Sequence, residues 1–369
     1  MAKIIHIADL HISAGEDRIY CLQVLREIID AANAKEADFL LISGDLFDSF
    51  RVLSYKALVL SVREEFGRLR PRCRVYFIPG NHERHGCPDM KDIAGFDLGR
   101  VELLFDGGSP FLGCYRKENG IDIVAVPYGA PYSDCQKWNV PKKENGIARI
   151  LMMHGTLSSV YSGPDGEEDK PDNIPDSIFD LLSADYALLG HIHSAAQKKI
   201  GECLAVYSGS PRVWRRGETG PRRAVYIDTS KGNDSGAESV RLSSAGEYRE
   251  IDLPLCFDAS LREDTLDALS EIKTSENDYL YVCLSGIVAD QNRLRAAEER
   301  IRSLFSGRRV RKLEINCDGV EADSSVLENE LANEFLKRLD KTRPEIGSPR
   351  MTEWLETRMQ GLEALREKK

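Results

Sequence analysis

Short runs of apolar and β-branched residues recur through the first half of this 369-residue chain, and each run ends in a polar loop. The runs are KIIHIA (3–8), DFLLIS (38–43), RVYFI (74–78), IDIVAV (121–126), RILMM (149–153) and YALLG (186–190). Runs of this length and composition predict buried β-strands. Apolar residues at helical spacing separate the first three runs, so the chain is predicted to open as a β-α-β-α-β unit of an α/β fold.

Side chains that bind metals or carry protons follow five of these strands. They are Asp9 and His11 in ADLH, Asp45 and Asp48 in SGDLFD, Asn81 and His82 in PGNHE, His154 in MHG, and His191 and His193 in LGHIH. In open α/β sheets, ligands gather beyond the carboxyl ends of the strands. We therefore expect these side chains to meet at one end of the fold.

The spacing of the paired residues favours two metal ions over one. Residues i and i+2 of a strand share a face and lie about 6.6 Å apart, which suits two ions about 3.5–4 Å apart. The expected ligands are Asp9, His11 and His193 for a first ion, Asn81, His154 and His191 for a second ion, and Asp45 as the bridge between them. Oxygen and imidazole ligands without thiolate favour a catalytic site for Mn²⁺, with Fe, Zn²⁺ or Mg²⁺ as alternatives.

His82 adjoins the expected ligand Asn81 but is not needed as a ligand itself. Its predicted role is to protonate the departing oxygen of a phosphate ester, which the positive charge of two ions would attract. Asp48 is predicted to accept a hydrogen bond from His82 and to fix its orientation. The alternative for Asp48 is a helix N-cap, and the two roles are compatible.

Composition limits where the chain acts and how it meets a polyanion. No apolar run is long enough for a membrane span, no signal peptide is evident, and the nine cysteines form no CxxC pair, so a cytoplasmic protein without membrane contact is expected. The net charge is −10, so any DNA contact depends on local basic clusters. The candidate phosphate contacts are Arg212, Arg215, Arg216, Arg308, Arg309 and Arg311. The alternative for these clusters is a solvated surface. Trp214 either stacks on an unpaired base or packs on its own hairpin.

The series D9-x-H11, G44-D45-x-x-D48, G80-N81-H82-E83, H154 and G190-H191-x-H193 resembles the calcineurin-like metallophosphoesterase superfamily. The resemblance implies a two-sheet α/β sandwich with a dinuclear metal site. In order, HIADLHI, LISGDLFDS, IPGNHE, ADYALLGHIH and VYSGSPRV are similar to the nuclease subunit of SbcC-SbcD-type DNA repair complexes. Leu10 and Glu83 depart from the bacterial members of that family, which often have Trp and Asp there.

The nuclease resemblance implies a manganese-dependent DNA exonuclease or endonuclease that acts in double-strand-break repair. It also implies three regions: a nuclease domain (1–254), a small α+β capping domain that presents DNA (255–320), and a C-terminal helical hairpin (321–369). The hairpin would grip the coiled coil of an SbcC-like, SMC-type ATPase, and a homodimer through the early helices is plausible by the same resemblance.

The tail carries two apolar stripes at helical spacing. They are Leu327, Leu331, Phe335, Leu336 and Leu339, and Met351, Trp354, Leu355, Met359, Leu362 and Leu365. Such stripes either bind a helix of a partner protein or pack within the molecule.

Two other functions stay open at this stage. One is a phosphodiesterase for small or cyclic nucleotides on the same site. The other is a metal-binding scaffold without catalysis. The acidic loop between residues 156 and 175 lies between two ligand motifs and would shape access to the ions.

Overall fold

The computed structural model describes residues 1–85, 87, 97–105, 114–126, 128–138, 140–157, 159–160, 173–255, 261, 263–288, 291–322, 330–345, 348 and 350–366. Leu327 and most of the acidic loop at 156–175 lie outside these residues. The chain forms two compact units, Met1–Ala245 and Gly246–Lys369. No helix among the described residues is long and apolar enough to span a lipid bilayer.

The first unit contains two six-stranded sheets. Its strands are β1 (Lys3–Ile7), β2 (Phe39–Ser43), β3 (Arg74–Ile78), β4 (Val101–Leu103), β5 (Cys114–Glu118), β6 (Ile121–Val126), β7 (Ala148–His154), β8 (Tyr186–Gly190), β9 (Ala196–Ile200), β10 (Cys203–Tyr207), β11 (Arg223–Asp228) and β12 (Glu238–Arg241). The first sheet has the order β12-β11-β1-β2-β3-β4, and the second has the order β5-β6-β7-β8-β10-β9. Strands β1 to β4 are parallel, and so are β6, β7, β8 and β10.

Helices cover the outer faces of this sandwich. They are α1 (Arg18–Ala34), α2 (Lys56–Gly67), α3 (Asn81–Arg84) and α4 (Ser177–Leu181), with 3-10 helices at Phe50–Ser54, Tyr132–Lys137, Thr229–Lys231, Asn233–Ser235 and Ser243–Ala245. Successive side chains of a strand point to opposite faces. In β1, Ile4 therefore faces the core between the sheets, whereas Ile5 packs with the buried faces of α1 and α2. The predicted two-sheet α/β sandwich is confirmed.

The second unit has a parallel three-stranded sheet, ordered β13 (Tyr248–Pro254), β14 (Tyr279–Val288) and β15 (Lys312–Ala322). Helices α5 (Glu263–Glu271) and α6 (Gln291–Phe305) connect the strands. The sequence placed the end of the first domain after residue 254, but the structure divides the chain after Ala245. The reason is that β13 pairs along its whole length with β14, so it belongs to the second unit.

The last two helices, α7 (Glu330–Asp340) and α8 (Arg350–Arg366), pack on each other within this unit. Ala332 and Leu362 are buried between them. A Cβ atom on Gly361 would lie 2.1 Å from the ring of Phe335, so this ring rests directly on the backbone of α8. Arg358 is buried and donates a hydrogen bond to the carbonyl of Leu255. Part of each apolar stripe is therefore used inside the unit, while Leu331 is 70% exposed.

Because Phe335 contacts Gly361, a substitution at position 361 that favours helix formation is predicted to lower the stability of the protein instead of raising it. Gly361→Ala gains about 1 kcal/mol of helix propensity, but displacing the Phe335 ring costs about 1–3 kcal/mol. We expect lower stability in urea unfolding followed by circular dichroism. In a Phe335→Ala background, the same Gly361→Ala change should be stabilising. Gln360→Ala, at an exposed neighbour on α8, is the control. A stabilising Gly361→Ala in the unaltered chain would contradict this packing.

Candidate metal centre

The structure brings together all the side chains that the sequence placed at strand ends. Asp9 and His11 follow β1, Asp45 and Asp48 follow β2, Asn81 and His82 open α3 after β3, His154 ends β7, and His191 and His193 follow β8. They occupy the carboxyl ends of parallel strands from both sheets. The centre is therefore formed by the two sheets jointly.

Unusual backbone geometry turns these side chains inward. Asp9 (φ 57°), His11 (φ 48°), Asp45 (φ 49°) and His191 (φ 95°) all have positive φ, which is costly for residues other than glycine. The loops after β1 and β2 hold each other, since the His11 amide donates to the Asp45 carbonyl at 2.9 Å. Gly44 is required beside them, because a Cβ there would lie 2.1 Å from His154 Nδ1.

Asp9, His11 and His193 form a first group, in which one potential ligand atom of each lies within 4.8 Å of the others. The Nε2 atoms of His11 and His193 are 3.1 Å apart. Two imidazole nitrogens that converge on one point beside a carboxylate are a suitable donor set for a divalent cation. These are the three residues that the sequence assigned to a first ion.

The second group contains Asp9, Asp45 and His154, again within 4.8 Å. Asn81 Oδ1 lies 2.9 Å from His154 Nε2 and 3.0 Å from His191 Nδ1, so the three predicted ligands of the second ion converge. Asp45 Oδ2 lies 3.9 Å from His11 Nε2 and 3.5 Å from His154 Nε2, a position between the two groups. Asp9 reaches both groups, whereas the sequence assigned it to the first alone.

The two central carboxylates are buried side by side, and this fits a cation. Burial raises the pKa of Asp9 to about 6, against the opposing effect of His154 and His193, and the charge of Asp45 adds to the increase. Burial also acts to raise the pKa of Asp45, but the charge and hydrogen bond of His154 outweigh it and lower that pKa. Two buried carboxylates side by side thus provide negative charge that a pair of divalent ions would compensate.

His82 is held by backbone groups. Its Nδ1 lies 2.7 Å from the carbonyl oxygen of Asp48, and its amide donates to Asp45 Oδ1 at 2.8 Å. Asp48 is therefore the acceptor that the sequence predicted for His82, but it accepts through its main-chain carbonyl and not through its side chain. The N-cap alternative is wrong, since the N-cap position of the following 3-10 helix is Ser49. A carbonyl only accepts, so Nδ1 carries a proton and Nε2 is left for acid–base chemistry.

Glu218 is a site residue that the sequence analysis missed. It is 8% exposed, and its Oε1 accepts a hydrogen bond from His193 Nδ1 at 2.5 Å. Its Oε2 accepts from the amides of Trp214 at 2.6 Å and Arg215 at 3.3 Å. The carboxylate thereby fixes the tautomer that directs His193 Nε2 into the first group. No local motif marks such a residue, since its partner lies 25 positions away along the chain.

Glu83 stabilises two of the loops that carry the predicted ligands. It is fully buried, with Oε2 accepting from the amides of Asp45 (3.0 Å) and Gly80 (2.8 Å) and Oε1 accepting from Phe47 (2.7 Å). Burial, followed by the charge of Asp45, raises the pKa of Glu83 to about 8. The residue that departs from the bacterial pattern thus ties the loop after β2 to the turn after β3.

Trp214 covers the first group. Its ring stacks on His11 with centroids 3.8 Å apart and planes inclined by 6°, and its edge faces His82 at 5.3 Å. The ring therefore packs on a predicted ligand, and it also packs against its neighbour Arg215, whose guanidinium carbon lies 4.9 Å from the ring centroid. On the side of the second group, the Tyr128 ring lies 6.1 Å from His154 and from His191, a position that the sequence did not reveal.

Two of the six predicted phosphate contacts are structural arginines. Arg212 is 1% exposed and donates from Nε to the Leu10 carbonyl and from a terminal nitrogen to the His11 carbonyl, both at 2.7 Å. Arg308 donates to the carbonyls of Leu269 (3.1 Å) and Ser270 (2.8 Å) at the end of α5. The prediction is wrong for Arg212, because its guanidinium is buried. Arg308 is half-buried, and its contact with DNA stays a prediction.

The other four arginines are placed differently. Arg215 has a 61% exposed side chain, and one of its terminal nitrogens lies 3.4 Å from His193 Nδ1. Arg216 is exposed in the same turn. In the second unit, the Arg309 side chain is 83% exposed and 3.8 Å from Glu276, and Arg311 lies over the ring of Tyr279. Their contact with DNA stays a prediction.

Residues 2–195 match the family model of the calcineurin-like phosphoesterases. The chain is 29% identical over 253 residues to the uncharacterized metallophosphoesterase YhaO of Bacillus subtilis, which covers 63% of this chain and 58% of that protein. It is 25% identical over 221 residues to the DNA double-strand break repair protein Mre11 of Thermoplasma acidophilum, covering 56% of each. The chain thus spans less than two thirds of the length of these relatives.

Among solved structures, a novel archaeal phosphodiesterase aligns with a TM-score of 0.36 and 14% identity, over 65% of this chain and 99% of that one. The family match covers more than half of the chain and includes every residue of both Asp/His groups. The family hydrolyses phosphate esters and typically holds two divalent metal ions, for which these groups offer a suitable donor set. The chain therefore belongs to the calcineurin-like phosphoesterase family.

Proposed function

We propose that this protein is a manganese-dependent DNA nuclease that hydrolyses phosphodiesters during double-strand-break repair. The observation that carries the phosphodiesterase part is the convergence of two Asp/His groups beside His82, whose Nε2 is left for proton transfer. The DNA part is supported by the ordered likeness of the motifs to SbcD-type nucleases. It is also supported by the relative named as a double-strand break repair protein.

The ligand assignment is part of this proposal. Asp9, His11 and His193 would hold one ion, Asn81, His154 and His191 the other, and Asp45 both. When bound, the two ions neutralise the phosphate and activate a water molecule for attack. Mn²⁺ is the proposed ion because the likeness to SbcD-type nucleases implies it, and oxygen and imidazole donors without thiolate are compatible with it.

The chain's own residues supply orientation and a proton. His82 protonates the departing oxygen through Nε2, because the Asp48 carbonyl holds Nδ1 at 2.7 Å. Arg215 has an exposed guanidinium beside His193 and is suited to a non-bridging phosphate oxygen. Trp214, stacked on His11, shields one face of the imidazole from water.

The second unit is proposed to present DNA and to contact a partner. In this unit the exposed Arg309, before β15, provides charge for backbone phosphates, as Arg215 does in the first unit. Helices α7 and α8 would bind an SbcC-like ATPase through the side chains that their mutual packing leaves exposed, such as Leu331.

The first test of the proposed nuclease is a comparison of two neighbouring histidines. His82→Ala should lower Mn²⁺-dependent cleavage of end-labelled linear DNA by about 10²–10⁴-fold, because the leaving oxygen loses its acid. His85→Ala, at an exposed position, should retain activity. Binding of two Mn²⁺ ions, measured by calorimetry, should be unchanged in both variants. Full cleavage by His82→Ala would exclude this role, and preference for cyclic nucleotides over DNA would replace the proposed substrate.

A second test concerns the support of the first ion. Glu218→Gln keeps the shape of the side chain but removes the charge that orients His193, so affinity for one of two Mn²⁺ ions should fall about 10–100-fold. Metal titration followed by electron paramagnetic resonance reports this without an activity assay. Glu202→Gln, in the exposed turn before β10, is the control. Unchanged affinity for both ions in Glu218→Gln would show that His193 needs no carboxylate.

A further inference from the structure

A small cavity lies directly behind His193, in the first unit. It has a volume of about 170 Å³ and is lined by the loops that follow β8 and β10 and by the segment that leads into β11. The side chains that characterise it are Ser194, Ser208, Ser210, Thr219, Arg222 and Arg223. We propose that this cavity is a phosphate subsite, which binds a phosphate group of the substrate other than the one being hydrolysed. The inference deepens the proposed nuclease function and rests on it for the identity of the substrate.

The chemistry of the lining selects an anion. Four hydroxyl groups and two guanidinium groups line the cavity, and no carboxylate is among its lining residues. The Ser208 and Ser210 hydroxyls donate to the carbonyls of Gly209 (3.1 Å) and Arg212 (2.8 Å). The donors toward an anion are therefore the hydroxyls of Ser194 and Thr219 and the two guanidinium groups, whose planar geometry suits phosphate oxygens. A metal ion would find two positive charges and no anionic ligand there. The cavity is therefore lined by positively charged side chains, whereas the neighbouring metal centre contains carboxylates.

The two arginines are available to a ligand in different ways. Arg222 is 7% exposed and is anchored by hydrogen bonds to the carbonyls of Thr219 and Gly220, so its guanidinium is held in place. Arg223 is half-buried at the start of β11. Within the described part of the chain, neither arginine forms an ion pair with a carboxylate. Glu218 acts on Arg222 through its charge, but its oxygens are engaged by His193 and by two amides.

The backbone around the cavity is fixed by close packing. The amide of Ser210 donates to the carbonyl of His193 at 3.1 Å. Gly209 has φ +70°, and a Cβ there would lie 2.8 Å from both the His193 carbonyl oxygen and the Ala195 amide nitrogen. The loops after β8 and β10 thus approach each other more closely than a residue with a Cβ atom at position 209 would permit. The shape of the cavity is therefore coupled to the position of His193.

The size of the cavity limits what it can hold. A water molecule occupies about 30 Å³ in the liquid, and pockets that enclose a small organic ligand usually exceed about 300 Å³. The cavity admits a phosphate group but not the nucleoside attached to it. Since His193 also belongs to the first Asp/His group, the bound phosphate would lie beside the metal centre. This arrangement suits a polynucleotide, which carries phosphates on neighbouring nucleotides, and gives no advantage to a cyclic mononucleotide.

Direct binding of inorganic phosphate tests the subsite apart from catalysis. The 369-residue chain is stripped of metal, so that phosphate cannot bind through ions, and is titrated with phosphate by calorimetry. Arg223→Gln removes one charged donor and should raise the dissociation constant about tenfold. Arg241→Gln is the matched control, because Arg241 pairs with Arg223 across β11 and β12 but does not line the cavity. Absence of phosphate binding, or equal binding by Arg223→Gln and the unaltered chain, would overturn the subsite.

A second experiment distinguishes a substrate phosphate from free phosphate. Dinucleotides with and without a terminal phosphate are offered to the Mn²⁺-loaded protein. The terminal phosphate should lower KM, and Arg223→Gln should remove most of that advantage while Arg241→Gln keeps it. Equal KM values alongside Arg223-dependent phosphate binding would overturn the assignment to the substrate. If no nucleotide is cleaved but phosphate binds through Arg223, the proposed nuclease fails and the anion site stands.

Discussion

The structure depends on keeping two carboxylates, Asp9 and Asp45, buried and close together at the ends of β1 and β2. In a medium of low polarity such a pair is unfavourable unless positive charge or hydrogen-bond donors compensate it. The His191 amide donates to both oxygens of Asp9 at 3.0 Å, and the His82 amide donates to Asp45 Oδ1 at 2.8 Å. Each carboxylate therefore anchors a loop from another strand, and the loops that carry the histidines are positioned by the charges they surround.

Buried ionisable residues outside the two groups serve the same geometry. Glu83 accepts three backbone amides, Glu218 holds His193 and two amides, and Arg212 donates to the carbonyls of Leu10 and His11. All three are buried. A buried ionisable group is tolerated when its hydrogen-bonding capacity is used, and here it is used largely on loop backbone, including that of the positive-φ residues Asp45 and His11. These residues stabilise conformations that the local sequence would not adopt alone.

The difference between the residues at strand ends and the buried residues that support their loops explains which features could be predicted from the sequence. The strands and the convergence of Asp9, Asp45 and His154 were predictable, because parallel strands bring their carboxyl ends to one edge and the sequence alternates apolar runs with polar loops. Glu218 and Glu83 were not, since Glu218 contacts the His193 ring 25 positions away and Glu83 contacts the amides of Asp45 and Phe47, 38 and 36 positions away. Arg212 was misassigned because a cluster of arginines in sequence resembles surface charge, whereas its burial is a tertiary property. The domain boundary was placed too late because a strand at the end of one unit and at the start of the next has the same local pattern.

The two halves of the centre are supported by different parts of the chain. His154 is fixed from within the sandwich, since its Nδ1 lies 2.8 Å from the Ser43 carbonyl at the end of β2. His193 is instead fixed by Glu218, in the segment between β10 and β11 that also carries Trp214 and Arg215. That segment contributes to the cavity behind His193 as well. A ligand that orders the segment would also order His193, so occupancy of the cavity and the geometry of the first Asp/His group are physically linked, whereas His154 of the second group is anchored to the core of the sandwich.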